Sequence, residues 1–378
     1  MKQVWTKLKE IQDQSLWTFS QPVKTAGTYS LISQTHHPCA VDYLAHSDNY
    51  VWVANTEGTV AIYKYSLENN VPKMVINQHY PVESSILNII CVPTTKRNWL
   101  FTHSGEISIT DNQGVLQKNE KTNQKLTTVT LIECHSNAKY YDNHENGTPY
   151  APVENDELIY TLWMGCKLDD EGNNSISIWD VKSESIIFTL NFPEKGEIKS
   201  IAQYQQYVLV GINQSIYAVE NKLNPTIHSV WRVFDDNRCI DCLKVFDSER
   251  QNLWIVDGEK SIVYLWECRT IVENNFNGIS LTNSEIYVNQ SGKIKCLSQV
   301  RLGHQDIITV WTSVSDPVKG NHLQIRNGKT MSILQTIPLP DTKIGTSVCV
   351  IDNIVLVGGS GCDEFESGSI LCLGLVAK

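Results

Sequence analysis

The chain has 378 residues, of which 41% are hydrophobic and 19% charged, and a formal net charge of −10. That composition excludes a disordered chain and allows an ample core. The acidity argues against nucleic acid as a partner, because affinity for phosphate is built from clustered Lys and Arg, and the densest basic group here is the pair Lys96-Arg97.

No apolar stretch approaches the roughly 18–20 residues of a membrane span. The opening MKQVWTKLKEIQDQ lacks the continuous apolar run of a signal peptide. The expectation is a soluble, cytoplasmic chain, unless it is one piece of a larger protein.

Residues 1–30 form an N-terminal segment with a possible helical stretch at 5–14. Beyond it the chain is β-rich and periodic, at roughly 40–60 residues per unit. PCAVDYLAH with YVWVANTEGTVAIYKY is the first unit. SILNIICVP with NWLFTHSGEISITD is the second. TTVTLIECH with LIYTLWMGC and SISIWDV is the third, and EIKSIAQY with QYVLVGINQSIYAVE the fourth. RCIDCLKVFD with NLWIVDGEKSIVYLWE, KIKCLSQV with DIITVWTSV and HLQIRNG, and TSVCVID with NIVLVGGSG and GSILCLGLV complete the series.

Each unit offers three or four short strands rich in Val, Ile, Thr and aromatics, bounded by Gly, Asn and Asp. Four-stranded blades of this length, some ending in a WD-like dipeptide, are the signature of an all-β, seven-bladed WD40-type β-propeller. In LWMGCKLDDEGNNSISIWDVKSES (162–185), Trp163 and Gly165 end a second strand. Ile176 and Ile178 face the blade interior, Trp179 packs between blades and Asp180 caps the next turn.

The seventh unit ends after its third strand. Its missing outer strand is expected from the N-terminus, at SLWTFSQ (15–21) or the apolar residues before it, which would remove two exposed edges and lock the ring. His36-His37, followed by Pro38, reads as a polar lead-in to blade one. Cys91, Cys134, Cys242, Cys296 and Cys349 fall at similar places in the first strands of five units, as compact hydrophobes near a crowded axis. Unpaired thiols of that kind suit a reducing cytoplasm. Cys239 and Cys242 form a C-x-x-C, but no second ligand pair makes it a zinc site, and its strand context does not suit a redox pair.

The polar stretch 135–157 is a long loop between the first and second strands of blade three, on the side opposite the turn at 168–173. The triplets at Asn146, Asn173, Asn213 and Asn289 read as turn asparagines rather than glycosylation sites.

No G-x-S-x-G, H-E-x-x-H, Walker A or G-x-G-x-x-G motif is present. The expectation is no catalytic residue, no cofactor and no metal. The alternative, an axial-site enzyme or small-ligand binder, requires His, Asp or Arg side chains converging at one mouth of the channel.

The loops joining second to third strands emerge on one face. Their acids are Glu57, Asp169, Asp170, Glu171, Asp257, Glu259, Asp316, Asp363, Glu364 and Glu366, against Lys167, Lys260 and Lys319, with Phe365 among the acids. Pooled around one axis, these charges would attract basic segments of a protein partner. The competing explanation is that turns favour Asp and Glu for backbone reasons and the face is simply solvated.

The stretch LWMGCKLDDEGNNSISIWDVKSESII resembles a blade of the C-terminal WD40 domain in leucine-rich repeat kinases of the Roco family, and IVLVGGSGCDEFESGSILCLGLV is similar to its closing blade. Blades like VWVANTEGTVAIY also occur in propellers of some Rho guanine nucleotide exchange factors and DENN-domain proteins. The Gly-His dipeptide usual before the inner strand is largely missing, and LGHQDIITVW (302–311) carries it in a different strand. The resemblance implies the propeller module of a larger signalling protein, serving partner docking or self-association as a homodimer.

Overall fold

The computed structural model describes residues 27–37, 40–69, 71–82, 84–135, 158–204, 206–234, 239–245, 252–257, 262–267, 285–287, 293–300, 309–316, 320–327, 333–339, 344–351, 354–360 and 368–377. Among them the regular structure is entirely β, in seven four-stranded antiparallel sheets.

Blade one comprises β2 (Tyr43–Ser47), β3 (Tyr50–Ala54), β4 (Thr59–Glu68) and β5 (Val71–Pro81). Blade two has β6 (Ile86–Val92), β7 (Arg97–Thr102), β8 (Glu106–Thr110) and β9 (Leu116–Lys121). Blade three has β10 (Lys125–His135), β11 (Leu158–Lys167), β12 (Asn174–Asp180) and β13 (Ser185–Asn191). Blade four has β14 (Ile198–Tyr204), β15 (Tyr207–Ile212), β16 (Ser215–Glu220) and β17 (Ile227–Arg232).

Blade five is built from β18 (Cys242–Val245), β19 (Asn252–Asp257), β20 (Ile262–Glu267) and β21 (Glu285–Tyr287). Blade six is built from β22 (Lys293–Val300), β23 (Thr309–Asp316), β24 (Gly320–Asn327) and β25 (Ile333–Pro338). Blade seven takes β26 (Ile344–Ile351), β27 (Ile354–Ser360) and β28 (Gly368–Ala377), and its outer strand is β1 (Gly27–His37). The chain is a seven-bladed β-propeller closed by an N-terminal strand.

The closing strand lies later than the sequence suggests. The stretch 15–21 falls outside the described residues; β1 pairs with β28 from Gly27 opposite Ala377 to His37 opposite Gly368. It is clamped to both neighbouring blades. The Gln335 amide on β25 donates to Tyr29 O and accepts from Tyr29 N, at 2.8 and 3.0 Å, and Ser33 Oγ donates to Pro72 O of β5 at 3.1 Å. His36 and His37 therefore end the closing strand instead of leading into blade one, and His37 is buried.

The core sits between blades, not within one central mass. Trp99, Phe101, Leu162, Met164 and Trp179 fill the seam of blades two and three. Trp163, Ile176, Ile178, Val208 and Val210 fill that of three and four. Trp179 and Ile178 thus face opposite neighbours, as alternation along a strand requires. Asp180 accepts from the Lys182 and Ser183 N–H groups at 3.2 and 2.8 Å, which closes the turn after β12.

Two positions show why a second strand can end on glycine, as at Trp163 and Gly165. A Cβ on Gly165 of β11 would lie 3.0 Å from Ile198 Cβ, and one on Gly358 of β27 would lie 2.6 Å from Val41 Cγ1. The next blade's inner segment presses against the second strand there, so no side chain fits.

Five of the seven inner strands share a feature invisible in the sequence. A β-bulge falls between Ile86/Asn88, Leu126/Thr128, Ile198/Ser200, Ile294/Cys296 and Gly345/Ser347. At or beside it, a small polar side chain reaches the next inner strand. Asn88 Nδ2 donates to Val129 O at 3.2 Å and Thr127 Oγ1 to Ile198 O at 2.7 Å. Ser200 Oγ accepts from Leu243 N, and Ser347 Oγ from Leu44 N, each at 2.9 Å. Bulges re-aim side chains, and here they stitch blade to blade where Gly-His dipeptides are missing.

All five predicted cysteines do lie on inner strands. Their heights differ, however: Cys296 follows the bulge directly, whereas Cys134 stands opposite Ile159 near the far end of β10. Their recurrence reflects tolerance for a compact apolar residue along that strand, not one equivalent socket.

Candidate interaction face

In an antiparallel blade the connections from second to third strand emerge on the same side as those from one blade's fourth strand to the next blade's first. The first set carries the acids singled out above. Glu57 and the Asp169–Glu171 group lie on such turns and are exposed. Asp257 ends β19 at the equivalent turn of blade five. Glu259, Asp363, Glu364, Phe365 and Glu366 lie outside the described residues.

Three of these turns are built alike. The side chains of Asn55, Thr102 and Asp169 accept from the N–H four residues on, at 2.7, 2.9 and 3.0 Å. The intervening Gly58, Gly105 and Gly172 take φ of +90°, +88° and +86°. Their carbonyls accept from Val82, Thr122 and Gly196 in the neighbouring inter-blade connections, at 2.6, 2.8 and 2.8 Å. A left-handed glycine is needed because a Cβ on Gly58 or Gly105 would fall 2.3 Å from a carbonyl oxygen.

Asp169 is therefore a turn former. Hydrogen bonds from Asn173 hold its carboxyl below the usual range, as expected of a carboxylate capping backbone N–H groups. Asp170 and Glu171 project outward at 99% and 78% side-chain exposure. They meet lysines: Lys167 Nζ lies 3.5 Å from Asp170, and Lys195 Nζ 3.3 Å from Glu171.

The inter-blade connections and adjoining strand ends supply charges that the reading of second-to-third-strand loops left out. Lys195, Glu194 and Asp241 are among them. Lys199 Nζ lies 2.6 Å from Asp241 across the β14–β18 boundary, which raises the lysine's pKa. Lys121 pairs with Glu106 at 3.4 Å. Glu194 accepts from the Tyr217 hydroxyl and the Asn213 amide at 3.0 and 3.2 Å. Burial, and then the Glu194 carboxylate, push the Tyr217 phenol up. The signal for these residues was available in strand parity: both kinds of connection share one side of every antiparallel sheet.

The other candidate chemistry is held in place by structure. Burial pushes the Cys242 thiol up, away from activation. No group of three His, Cys, Asp or Glu able to hold a metal occurs among the described residues. No helix among them is long and apolar enough to cross a membrane.

No family model matches the sequence, and no curated protein matches it. Solved structures match over nearly the whole chain. BBS1N, solved in complex with ARL6DN, aligns with a TM-score of 0.61 at 10% identity, over 93% of this chain and 98% of its own. The WD40 β-propeller domain of Doa1 gives 0.61 at 11% identity, over 92% of this chain and 97% of its own. Raptor of Chaetomium thermophilum gives 0.60 at 11% identity, over 93% of this chain but 29% of its own. At such identities the likeness concerns architecture, that of a WD40-type β-propeller.

Proposed function

We propose that the chain is a non-catalytic protein-interaction module that receives a basic segment of a partner on the side carrying the second-to-third-strand turns. The observation that supports this is Glu57, Asp170 and Glu171 standing exposed on turns whose backbones are tied to the neighbouring connection. A rigid ring presents such charges without an ordering cost at binding. Acids on blades one, three and five steer a cationic partner over a wide surface. The face includes Asp257 and, on the sequence, Glu259, Asp363, Glu364, Phe365 and Glu366.

Non-catalytic use fits the inner strands, where Asn88, Thr127, Ser200 and Ser347 bond to adjacent backbone. The parent protein in this proposal is a cytoplasmic signalling protein of Roco kinase type, on the sequence resemblance of blades three and seven. Docking and self-association are the tasks that resemblance implies.

The test is binding to an array of basic peptides, comparing the native chain with a Glu57→Lys, Asp170→Lys, Glu171→Lys variant. Asp169 is left alone because it shapes its turn. Peptides that bind are expected to lose at least about tenfold in affinity, about 1.4 kcal/mol, and to weaken with salt. Binding unchanged by the triple reversal removes this face from the proposal.

A further inference from the structure

The corner where the closing strand meets blade one buries an imidazole. His37 is the last residue of β1, stands opposite Gly368 of β28 and is 1% exposed. Its Nδ1 lies 2.7 Å from the Tyr63 hydroxyl of β4, with the two rings edge-on. Its Nε2 is buried without a hydrogen-bond partner. The other buried imidazole among the described residues, His322, bonds to Gly320 and Gln324 of its own blade. His37 bonds across a seam.

The remaining ties of β1 hold no titratable side chain. The Gln335 amide grips Tyr29, and Ser33 Oγ reaches Pro72 O. The inner-strand bonds of the same seam, from Leu44 N to Ser347 and from Thr346 to Val41 O, are also made by neutral groups.

We infer that His37 is an acid-operated latch, whose protonation lifts the corner of β1 from blade one and leaves the rest of the ring closed. Either neutral tautomer satisfies Nδ1, as donor to the tyrosine oxygen or as acceptor from it. The imidazolium carries an N–H on both nitrogens, and no acceptor meets the second, so a charged donor is left buried and unmet. Tyr63 and His79 of β5 are the titratable groups that face it, and His79 opposes a positive charge there. Gly368, Ser369 and Ile370 on β28 offer none.

Relief comes from turning the ring out to water. Because His37 ends its strand, that releases only the last pairs, His36 with Ser369 and His37 with Gly368. Tyr29 and Leu31 stay buried toward the other end of β1. The lifted corner bares the edge of β28 at Gly368 and Ser369, a short unpaired strand edge.

Burial first, and His79 second, lower the His37 pKa from 6.5 to about 4. The open corner therefore binds the proton more tightly than the closed one. Opening is rarest above about pH 6.5 and grows as pH falls toward about 4. Between pH 7 and pH 5 the open population rises about twentyfold.

The test is amide hydrogen exchange of the full chain at pH 7 and pH 5, expressed as protection relative to an unstructured chain so that the intrinsic pH dependence of exchange cancels. Protection at 35–37 and 368–370 is expected to fall about twentyfold, while that of β7 and β8 in blade two changes by less than about twofold. In His37→Gln, whose amide can still bond to Tyr63 and does not titrate, the corner keeps the same protection at both pH values. Unchanged protection at the corner of the native chain overturns the inference. So does an equal fall in His37→Gln, which assigns the effect to another group. A fall shared by every blade overturns it too, because the opening is then global. If His37→Gln does not fold, the His37 ring resonance of the native chain decides. A titration midpoint well below 6.5 sustains the latch, and a midpoint at or above 6.5 overturns it.

Discussion

The seam between blades two and three and the seam between blades seven and one hold the same ring by different means. The first joins stretches continuous in the chain, and its centre is apolar. Trp99 stacks on Phe101 with centroids 6.2 Å apart and meets Trp179 edge-on at 6.3 Å. The second joins the beginning of the chain to its end. Val41, Val51, Tyr63, Leu356 and Cys372 supply a comparable core. To this it adds directional bonds: His37 Nδ1 to the Tyr63 hydroxyl at 2.7 Å, Leu44 N to Ser347 Oγ at 2.9 Å, and Thr346 Oγ1 to Val41 O. A continuous seam is held chiefly by burial, with polar contacts such as Asn88 Nδ2 to Val129 O and Arg97 to Glu184 beside the core. A seam that must find its register between distant segments needs groups that recognise one position, at the cost of burying a titratable side chain.

The largest effect is expected at the apolar seam. Trp179→Ala removes an indole that is 3% exposed and leaves a cavity against Trp99. The loss is about 3–5 kcal/mol, read as a lower urea midpoint with unchanged slope, and it is the same at pH 7 and pH 5.

The second effect belongs to the closing seam and depends on pH. Burial, with His79 nearby, lowers the His37 pKa from 6.5 to about 4. The unfolded chain takes up that proton near pH 6.5 and the folded chain only near pH 4. The contribution is therefore complete above about pH 6.5 and is lost progressively as pH falls toward about 4. The whole amounts to about 3 kcal/mol. Denaturant titrations of the native chain and of His37→Gln, at pH 7 and 4.5, check this. The native chain is expected to lose more stability than the variant over that interval, and equal losses contradict the assignment.

Much of the architecture was legible because seven alternating units repeat, and repetition averages out the weakness of any one strand signal. The roles of Trp179, Asp180 and the glycine ending the second strand followed from local chemistry. The closing strand was misplaced for a physical reason. SLWTFSQ has the aromatic alternation of a strand, whereas GTYSLISQTHH buries little beyond Tyr29, Leu31 and His37, as an outer strand does. A strand packed mainly on one side looks polar in sequence.

The inner-strand bulges and the bonds of Ser200 and Ser347 to the next blade were not legible, because they are settled between residues tens to hundreds apart. At the candidate face, the acids of the turns and Lys167 beside them were visible in sequence, and Lys195 was not. Lys195 meets Glu171 only once two successive connections of different kinds share a side of the ring.

A pair of truncations followed by thermal unfolding tests most directly how the ring is shut. Removing residues 1–26 is expected to leave a single cooperative transition near that of the full chain, with β1 still in place. Removing 1–37 takes Tyr29, Leu31 and His37 out of blade seven, bares the edge of β28, and is expected to abolish that transition or lower it by more than about 10 °C. Two truncated chains that unfold alike would mean that 27–37 does not close the propeller.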